Sequence, residues 1–136
     1  MAAFAMTDCA VLINAVDRSA FIKTVSLHVE ANELDATNFA SAGWMVPIAG
    51  LKSGTVGITF NQDVVAAAID AIMWPLMFTV VTFEVRATNA VVGVSNPKYT
   101  GSFLVKEWTP LDGSVGDLAQ LSVSYPSSGV VTRATA

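Results

Sequence analysis

The amino-acid sequence predicts a mainly β protein, a β-sandwich or barrel-like fold with one flanking α-helix and a long loop between strands. Two observations carry this prediction. Apolar and polar residues alternate with a period of two in several segments, and a single segment has helical spacing behind a capping residue. The strand-like segments are 21–30, 55–60, 79–86, 99–108 and 118–125. Their polar faces carry mainly Thr, Ser and Gln, which suit packing against another sheet or lining a wet, neutral surface.

One helix is predicted, over residues 64–74. Asp63 can accept hydrogen bonds from the free amides of its first turn, and the run Ala66-Ala67-Ala68 favours a helix by propensity. Pro75 disfavours helical geometry at Trp74, so the helix is expected to end there.

A long loop is predicted over residues 31–50, which show no clean periodicity. The segment begins acidic and ends apolar. Long loops in compact domains are uncommon and usually functional. A tight turn at Lys52-Ser53-Gly54 is expected to follow it. The chain has 136 residues with no repeat and no linker, which predicts a single domain over residues 1–136.

Charged residues are unusually scarce. Only 13% of the residues are Asp, Glu, Lys or Arg, while 53% are apolar; ordinary soluble domains have about 25% charged residues. Part of the surface must therefore be apolar or neutral, which favours a subunit of an assembly over a monomer. The net charge is −4 and the basic residues are scattered, without the clustered cations that sequence-independent nucleic-acid binding needs, so DNA binding is not expected.

Membrane insertion is not expected either. The most apolar run, residues 64–81, holds Asp70 in its middle and is broken by Pro75. An Asp at a bilayer centre costs at least about 2.5 kcal/mol. The N-terminus has no basic region before its apolar residues and is a poor signal peptide. The protein is expected to stay in the cytoplasm or to leave by a route other than export.

The sequence predicts no enzyme, no metal site and no cofactor. Cys9 is the only cysteine and His28 the only histidine. Disulfides, ordinary zinc sites and catalytic triads therefore lack their parts. Residues 112–117 resemble a calcium loop only faintly and are interpreted as a turn.

The segment 43–75 carries a family resemblance. Gly43-Trp44, Pro47, Gly50-Leu51-Lys52-Ser53-Gly54, Asn61-Gln62-Asp63 and Met73-Trp74-Pro75-Leu76 follow one another in a characteristic order. In this order the chain resembles the small major tail tube proteins of long-tailed (siphovirus-like) bacteriophages. The similarity extends through 79–86, 96–101, 113–119 and 128–134, and so covers about residues 10 to 136. Residues 64–68 and 77–78 are more apolar than the family pattern.

The resemblance implies a tail tube fold and a structural role in the tail of a virion assembled in the host cytoplasm. Six copies would form a ring, and stacked rings would form the tube through which the genome passes. The implied partners are further copies of the chain, a tape measure protein, a tail terminator, and distal tail or baseplate proteins. DNA would pass through the lumen without specific binding.

Several residues are candidates for contacts in such a tube. Aromatic residues and methionine are enriched in the cores of interfaces, and the predicted loop is rich in them. The candidate assembly contacts are Phe39, Trp44, Met45, Val46 and Pro47. Glu84, on the polar face of segment 79–86, is the candidate lumen-facing residue.

Two other functions remain open from the sequence. The first is the ring protein of a contractile secretion system, which shares the tube architecture. The second is a binding module, a monomeric or trimeric β-sandwich that recognises glycans or cell surfaces or decorates a virion. Trp44, Trp74 and Trp108 would supply its aromatic platform.

Overall fold

Eight strands and one short α-helix follow one another in residues 3–136, the part of the chain that the computed structural model describes. The strands are β1 (Ala10–Ile13), β2 (Val16–Asp17), β3 (Ile22–Asp35), β4 (Pro47–Asn61), β5 (Val80–Arg86), β6 (Lys98–Leu104), β7 (Gln120–Pro126) and β8 (Thr132–Ala134). The helix α1 (Ile69–Met73) lies between β4 and β5.

The strands form two sheets. A five-stranded sheet has the order β2-β1-β5-β6-β8, and a three-stranded sheet has the order β3-β4-β7. Every strand pairing is antiparallel. This architecture confirms the predicted fold class, mainly β with a single flanking helix.

The core lies between the inner faces of the two sheets. In β4 and β7, alternate residues are buried and the residues between them face away from the core. Phe103 of the five-stranded sheet lies 5.0 Å from Tyr125 of the three-stranded sheet, measured between ring centroids. Phe83 stacks on Phe103 from the neighbouring strand, at 5.4 Å. The side chains of Ile69 and Met73 bring α1 onto the same cluster.

Most of the predicted loop over residues 31–50 is a β-hairpin. β3 and β4 continue past the core and pair Glu33 with Ala49, Leu34 with Ile48, and Asp35 with Pro47. The predicted turn at 52–54 lies inside β4, where these residues pair with 29–31 of β3. We call the protruding part of the hairpin, residues 30–53, the arm. A register shift between residues 31 and 33 interrupts the period of two, and for this reason the sequence does not look like a strand there.

The helix is shorter than the predicted 64–74. Ala67 has φ 65°, a left-handed conformation that interrupts the helix before Ala68, and α1 begins only at Ile69. The Asp63 carboxylate accepts from the Val65 amide at 3.1 Å and so stabilises this preceding turn rather than the helix. After Met73 the chain tightens into a 3-10 turn, Trp74–Leu76, which contains Pro75.

Candidate assembly surfaces

The tip of the arm is held by local hydrogen bonds. Asn38 and Ser41 form a reciprocal capping box at the 3-10 turn Phe39–Ser41, which satisfies two backbone amides. The Ala36 amide donates to the Val46 carbonyl at 2.9 Å, and the Val46 amide donates to the Thr37 hydroxyl at 2.9 Å. The conformation of the tip is therefore held by hydrogen bonds among its own residues.

A carboxylate contributes to this turn. The Thr37 amide donates to Asp35 Oδ1 at 2.9 Å. The hydrogen bonds from the Thr37 side chain and amide lower the pKa of Asp35 below its ordinary value. This bond is present while the carboxylate is ionised and weakens as the pH falls through the pKa.

The structure brings all five predicted contact residues to the tip of the arm. Phe39 is fully exposed, and Trp44 and Met45 are 77% and 73% exposed. Val46 and Pro47 are also exposed, at the start of the returning strand. Side chains of this kind are usually buried, and their clustering on a protruding hairpin is typical of an interaction site.

The shaft of the arm adds apolar residues that the sequence analysis missed. Leu34, Ile48 and Leu51 are all exposed, and Val29, directly before the arm, is exposed as well. They lie on strands, and the burial of alternate residues in β4 begins only at Gly54. A count of apolar residues on both strands of the hairpin would have revealed them, had the hairpin been recognised.

The two edges of the three-stranded sheet are a second candidate surface. β3 and β7 are each paired on one side only, and the exposed backbone groups of an edge strand favour pairing with another chain. One of these groups is already occupied. The Ser124 amide points away from β4 and donates to the Glu107 carboxylate at 2.8 Å. By contrast, the edges of the five-stranded sheet are β2 and β8, which have only 2 and 3 residues.

Glu84 lies on the outer face of the five-stranded sheet. Its neighbour Phe83 points into the core, so Glu84 points away from it. Its carboxylate lies 3.1 Å from Arg86 Nε, and both side chains are largely shielded from solvent. For Glu84 to face a lumen, the five-stranded sheet would have to be the inner one.

The three tryptophans form no common platform. Trp108 is 8% exposed, and its indole N–H donates to Asp70 Oδ1 at 2.9 Å. Trp44 lies at the tip of the arm, and Trp74 is exposed in the turn after α1. Trp108 is therefore not part of an exposed aromatic platform, whereas Trp44 and Trp74 are both accessible.

A third exposed apolar group surrounds the helix. Val64, Val65, Trp74 and Phe78 are all exposed. Phe78 has φ 66°, which is uncommon for a bulky residue. Its amide donates to the Val105 carbonyl at 2.7 Å, which fixes this conformation while the ring points into solvent.

A metal site requires several ligating side chains close together. In residues 3–136, no three His, Cys, Asp or Glu side chains lie close enough together to hold a metal ion. His28 is exposed and lies 3.5 Å from Glu30, on the outer face of the three-stranded sheet. Within the same range, no helix combines the length and apolar character needed to cross a bilayer.

Solved structures share this fold. A chain in the structure of the virion of a native gene transfer agent (GTA) particle superposes with a TM-score of 0.75, at 16% sequence identity. This match covers 96% of the present chain and 98% of that chain. A chain in the structure of the tail of an empty GTA particle, computed with helical refinement and C6 symmetry, superposes with a TM-score of 0.64 at 16% identity. It covers 82% of the present chain and 81% of that chain. No family model and no curated protein matches the sequence.

Proposed function

We propose that this protein is a structural subunit of a phage-type tail tube and performs no catalysis. Six copies form a ring, and stacked rings form the channel for genome delivery in a virion tail. The observation that carries the proposal is the arm. It is an ordered hairpin whose tip presents Phe39, Trp44 and Met45 to solvent. Isolated two-stranded hairpins are marginally stable in water, so an arm of this composition is expected to dock on another subunit.

The six-membered ring is supported by a solved tail structure and by the sheet edges of this protein. A chain with the same fold lies in a tail described with C6 symmetry. The edges of β3 and β7 are on opposite sides of one sheet. If β7 of one copy pairs with β3 of the next, the contact is heterologous, and a series of such contacts forms a ring when the rotation between neighbouring copies closes. In the closed ring, the three-stranded sheet has no exposed edge.

The arm then serves contacts to a neighbouring subunit or to the next ring, through Phe39, Trp44, Met45, Val46 and Pro47.

Further partners in this proposal are a tape measure protein, a tail terminator, and distal tail or baseplate proteins. Assembly takes place in the host cytoplasm, and DNA passes through the lumen without specific binding.

Replacement of Trp44 tests the role of the arm. A buried aromatic anchor typically contributes about 2 kcal/mol or more to an interface. Trp44→Ala is therefore expected to raise the critical concentration for tube formation at least about 30-fold. Sedimentation of tubes at a series of protein concentrations measures this change.

Two variants serve as controls. Trp44→Phe keeps an aromatic ring at the tip and is expected to assemble nearly as well as the wild type. Trp74→Ala makes the same change at another exposed tryptophan and is expected to have a smaller effect. Circular dichroism should report the same fold for all three variants, because none of the changed side chains is part of the core. Unchanged assembly of Trp44→Ala would refute the role of the arm tip.

A further inference from the structure

The outer face of the three-stranded sheet carries a cluster of small hydroxyl side chains. Two neighbouring rows cross the three strands: Thr24–Thr59–Ser122 and Ser26–Gly57–Ser124. The Thr59 and Ser122 hydroxyls lie 3.0 Å apart. With the adjacent Thr55, we call this surface the hydroxyl face. The residues between these positions on β4 and β7 are buried in the core, so the hydroxyl face points away from the subunit.

The outer face of the five-stranded sheet also has hydroxyl side chains, Thr82, Thr100 and Ser102, but it carries charged side chains among them. Arg86 lies directly opposite Lys98 on the neighbouring strand, and Glu84 forms an ion pair with Arg86. These charged side chains distinguish the outer face of the five-stranded sheet from the hydroxyl face.

Lys23 of β3 borders the hydroxyl face and lines a cleft of about 550 Å³ together with Asp112 and Asp117. The two carboxylates place negative charge at the same cleft. At the other end of the face, His28 lies next to Glu30. The hydroxyl face thus lacks the clustered cations that release counterions from a duplex.

The widths of the sheets indicate which one lies nearer the axis of a ring. With strands about 4.8 Å apart, the three-stranded sheet is about 14 Å wide and the five-stranded sheet about 24 Å wide. In a closed ring, the narrower layer of each subunit fits at the smaller radius. Six three-stranded sheets supply about 18 strands, and barrels of 16–18 strands leave an aqueous channel.

We infer that the hydroxyl face lines the channel of the tube and that the partner it faces is hydrated double-stranded nucleic acid. The inference rests on the proposed tube function and deepens it, since it states which face is inside. Ser and Thr hydroxyls hold water by donating and accepting hydrogen bonds, and they carry no charge to retain the phosphates. Glu84 lies on the outside of the tube in this arrangement, contrary to the expectation from the sequence.

Cysteine labelling of assembled tubes tests the assignment. In a Cys9→Ala parent, Ser122→Cys places a thiol on the hydroxyl face, and Thr82→Cys places one on the outer face of the five-stranded sheet. Both positions are exposed in the subunit. In intact tubes, a maleimide on a large polyethylene glycol is expected to modify Thr82→Cys and to leave Ser122→Cys unmodified. A small maleimide dye should enter the channel and label both, and after disassembly the large reagent should also modify both.

The outcomes separate this inference from the proposed function. Modification of Ser122→Cys by the large reagent in intact tubes would overturn the assignment and leave the tube function standing. Ser26→Cys, on the same face, gives the same test if Ser122→Cys tubes do not form. Failure of the Cys9→Ala parent and the wild type to form any tube would overturn the proposed function, and the assignment with it.

A second measurement tests whether the channel leaves double-stranded DNA unbound. Wild-type tubes are expected not to retain a labelled DNA duplex on sedimentation at physiological salt, whereas Ser122→Arg tubes should retain it in a salt-dependent way. If wild-type tubes retained the duplex at that salt concentration, the inference that the channel is lined by uncharged side chains would be overturned.

Discussion

Individual side chains hold α1 and the end of β4 against the segment that follows β6 through hydrogen bonds and a ring contact. The Trp108 indole donates to Asp70 Oδ1, and its ring meets Phe60 edge-on with 5.2 Å between centroids. Gln62 Nε2 donates to the Pro110 carbonyl at 2.7 Å. Asp70, which argues against a membrane span in the sequence, is thus the acceptor for a buried indole N–H.

The Asp70 contact predicts a loss of stability on substitution. Asp70→Ala leaves the buried Trp108 N–H without its acceptor, which typically costs about 1–3 kcal/mol. Asp70→Asn keeps an oxygen at this position and is expected to lose less. Urea unfolding followed by tryptophan fluorescence measures both free energies, and equal losses in the two variants would contradict the role of the hydrogen bond.

The environment of Tyr125 predicts that the stability of the protein depends on pH. Its hydroxyl donates to the Glu107 carbonyl at 2.9 Å, and burial, together with the nearby Glu107 carboxylate, raises the pKa of Tyr125 above its ordinary value of 10.0. The folded protein then holds this proton more tightly than the unfolded chain. The resulting contribution to stability is complete below about pH 10 and is lost as the pH rises towards the folded pKa.

Tyr125→Phe removes this titration. Above pH 10, the free energy of unfolding is expected to fall less steeply with pH in the variant than in the wild type. Guanidinium unfolding at several alkaline pH values gives both slopes. The same slope in the two proteins would show that Tyr125 deprotonates equally easily in the folded and unfolded states.

At the scale of elements, the arm and the sandwich differ in what stabilises them. β4 buries alternate residues from Gly54 onwards, whereas the shaft of the arm between Pro47 and Ser53 is almost entirely exposed. The arm therefore depends on its backbone hydrogen bonds and on local turns such as the Asn38 capping box. Elements with few buried apolar contacts open with low free energies.

This difference predicts the pattern of hydrogen exchange. In the free subunit, the amides of residues 30–53 are expected to exchange much faster than those of β5 and β6. In tubes, the same amides should become protected, because docking buries the arm. Hydrogen exchange measured by mass spectrometry on both forms tests this, and an arm that stays unprotected in tubes would contradict docking.

The elements also differ in how well the sequence predicts them. Segment 79–86 is predicted almost to the residue because Val81 and Phe83 are buried between sheets and produce a clean alternation. The arm is not predicted as strand, since no core imposes an alternation on Leu34 or Ile48. The start of the helix is missed because tertiary packing of Ala68 and Ile69 overrides the propensity of the preceding alanines.

The candidate contact residues could be selected from the sequence because Phe39, Trp44 and Met45 are large apolar residues in a segment without periodicity. Their gathering at one protruding tip depends on the pairing of β3 with β4, which the sequence does not reveal. The hydroxyl face is visible in the sequence as Thr- and Ser-rich polar positions. Its orientation relative to the five-stranded sheet requires the structure.

At the scale of the whole molecule, the proposed tube explains both the low charge content and the exposed apolar surface. A subunit with 13% charged residues carries an apolar arm, two unpaired sheet edges and apolar residues around its helix. Each is unfavourable on an isolated monomer, and the proposed tube would bury the arm and pair the sheet edges. Obligate interfaces of this kind commonly bury about 2,000–5,000 Å².

Negative-stain electron microscopy of the purified, concentrated protein tests this account most directly. The account predicts hollow filaments or stacked rings whose end views have six-fold symmetry. Isolated subunits at every concentration, with no rings and no filaments, would contradict it.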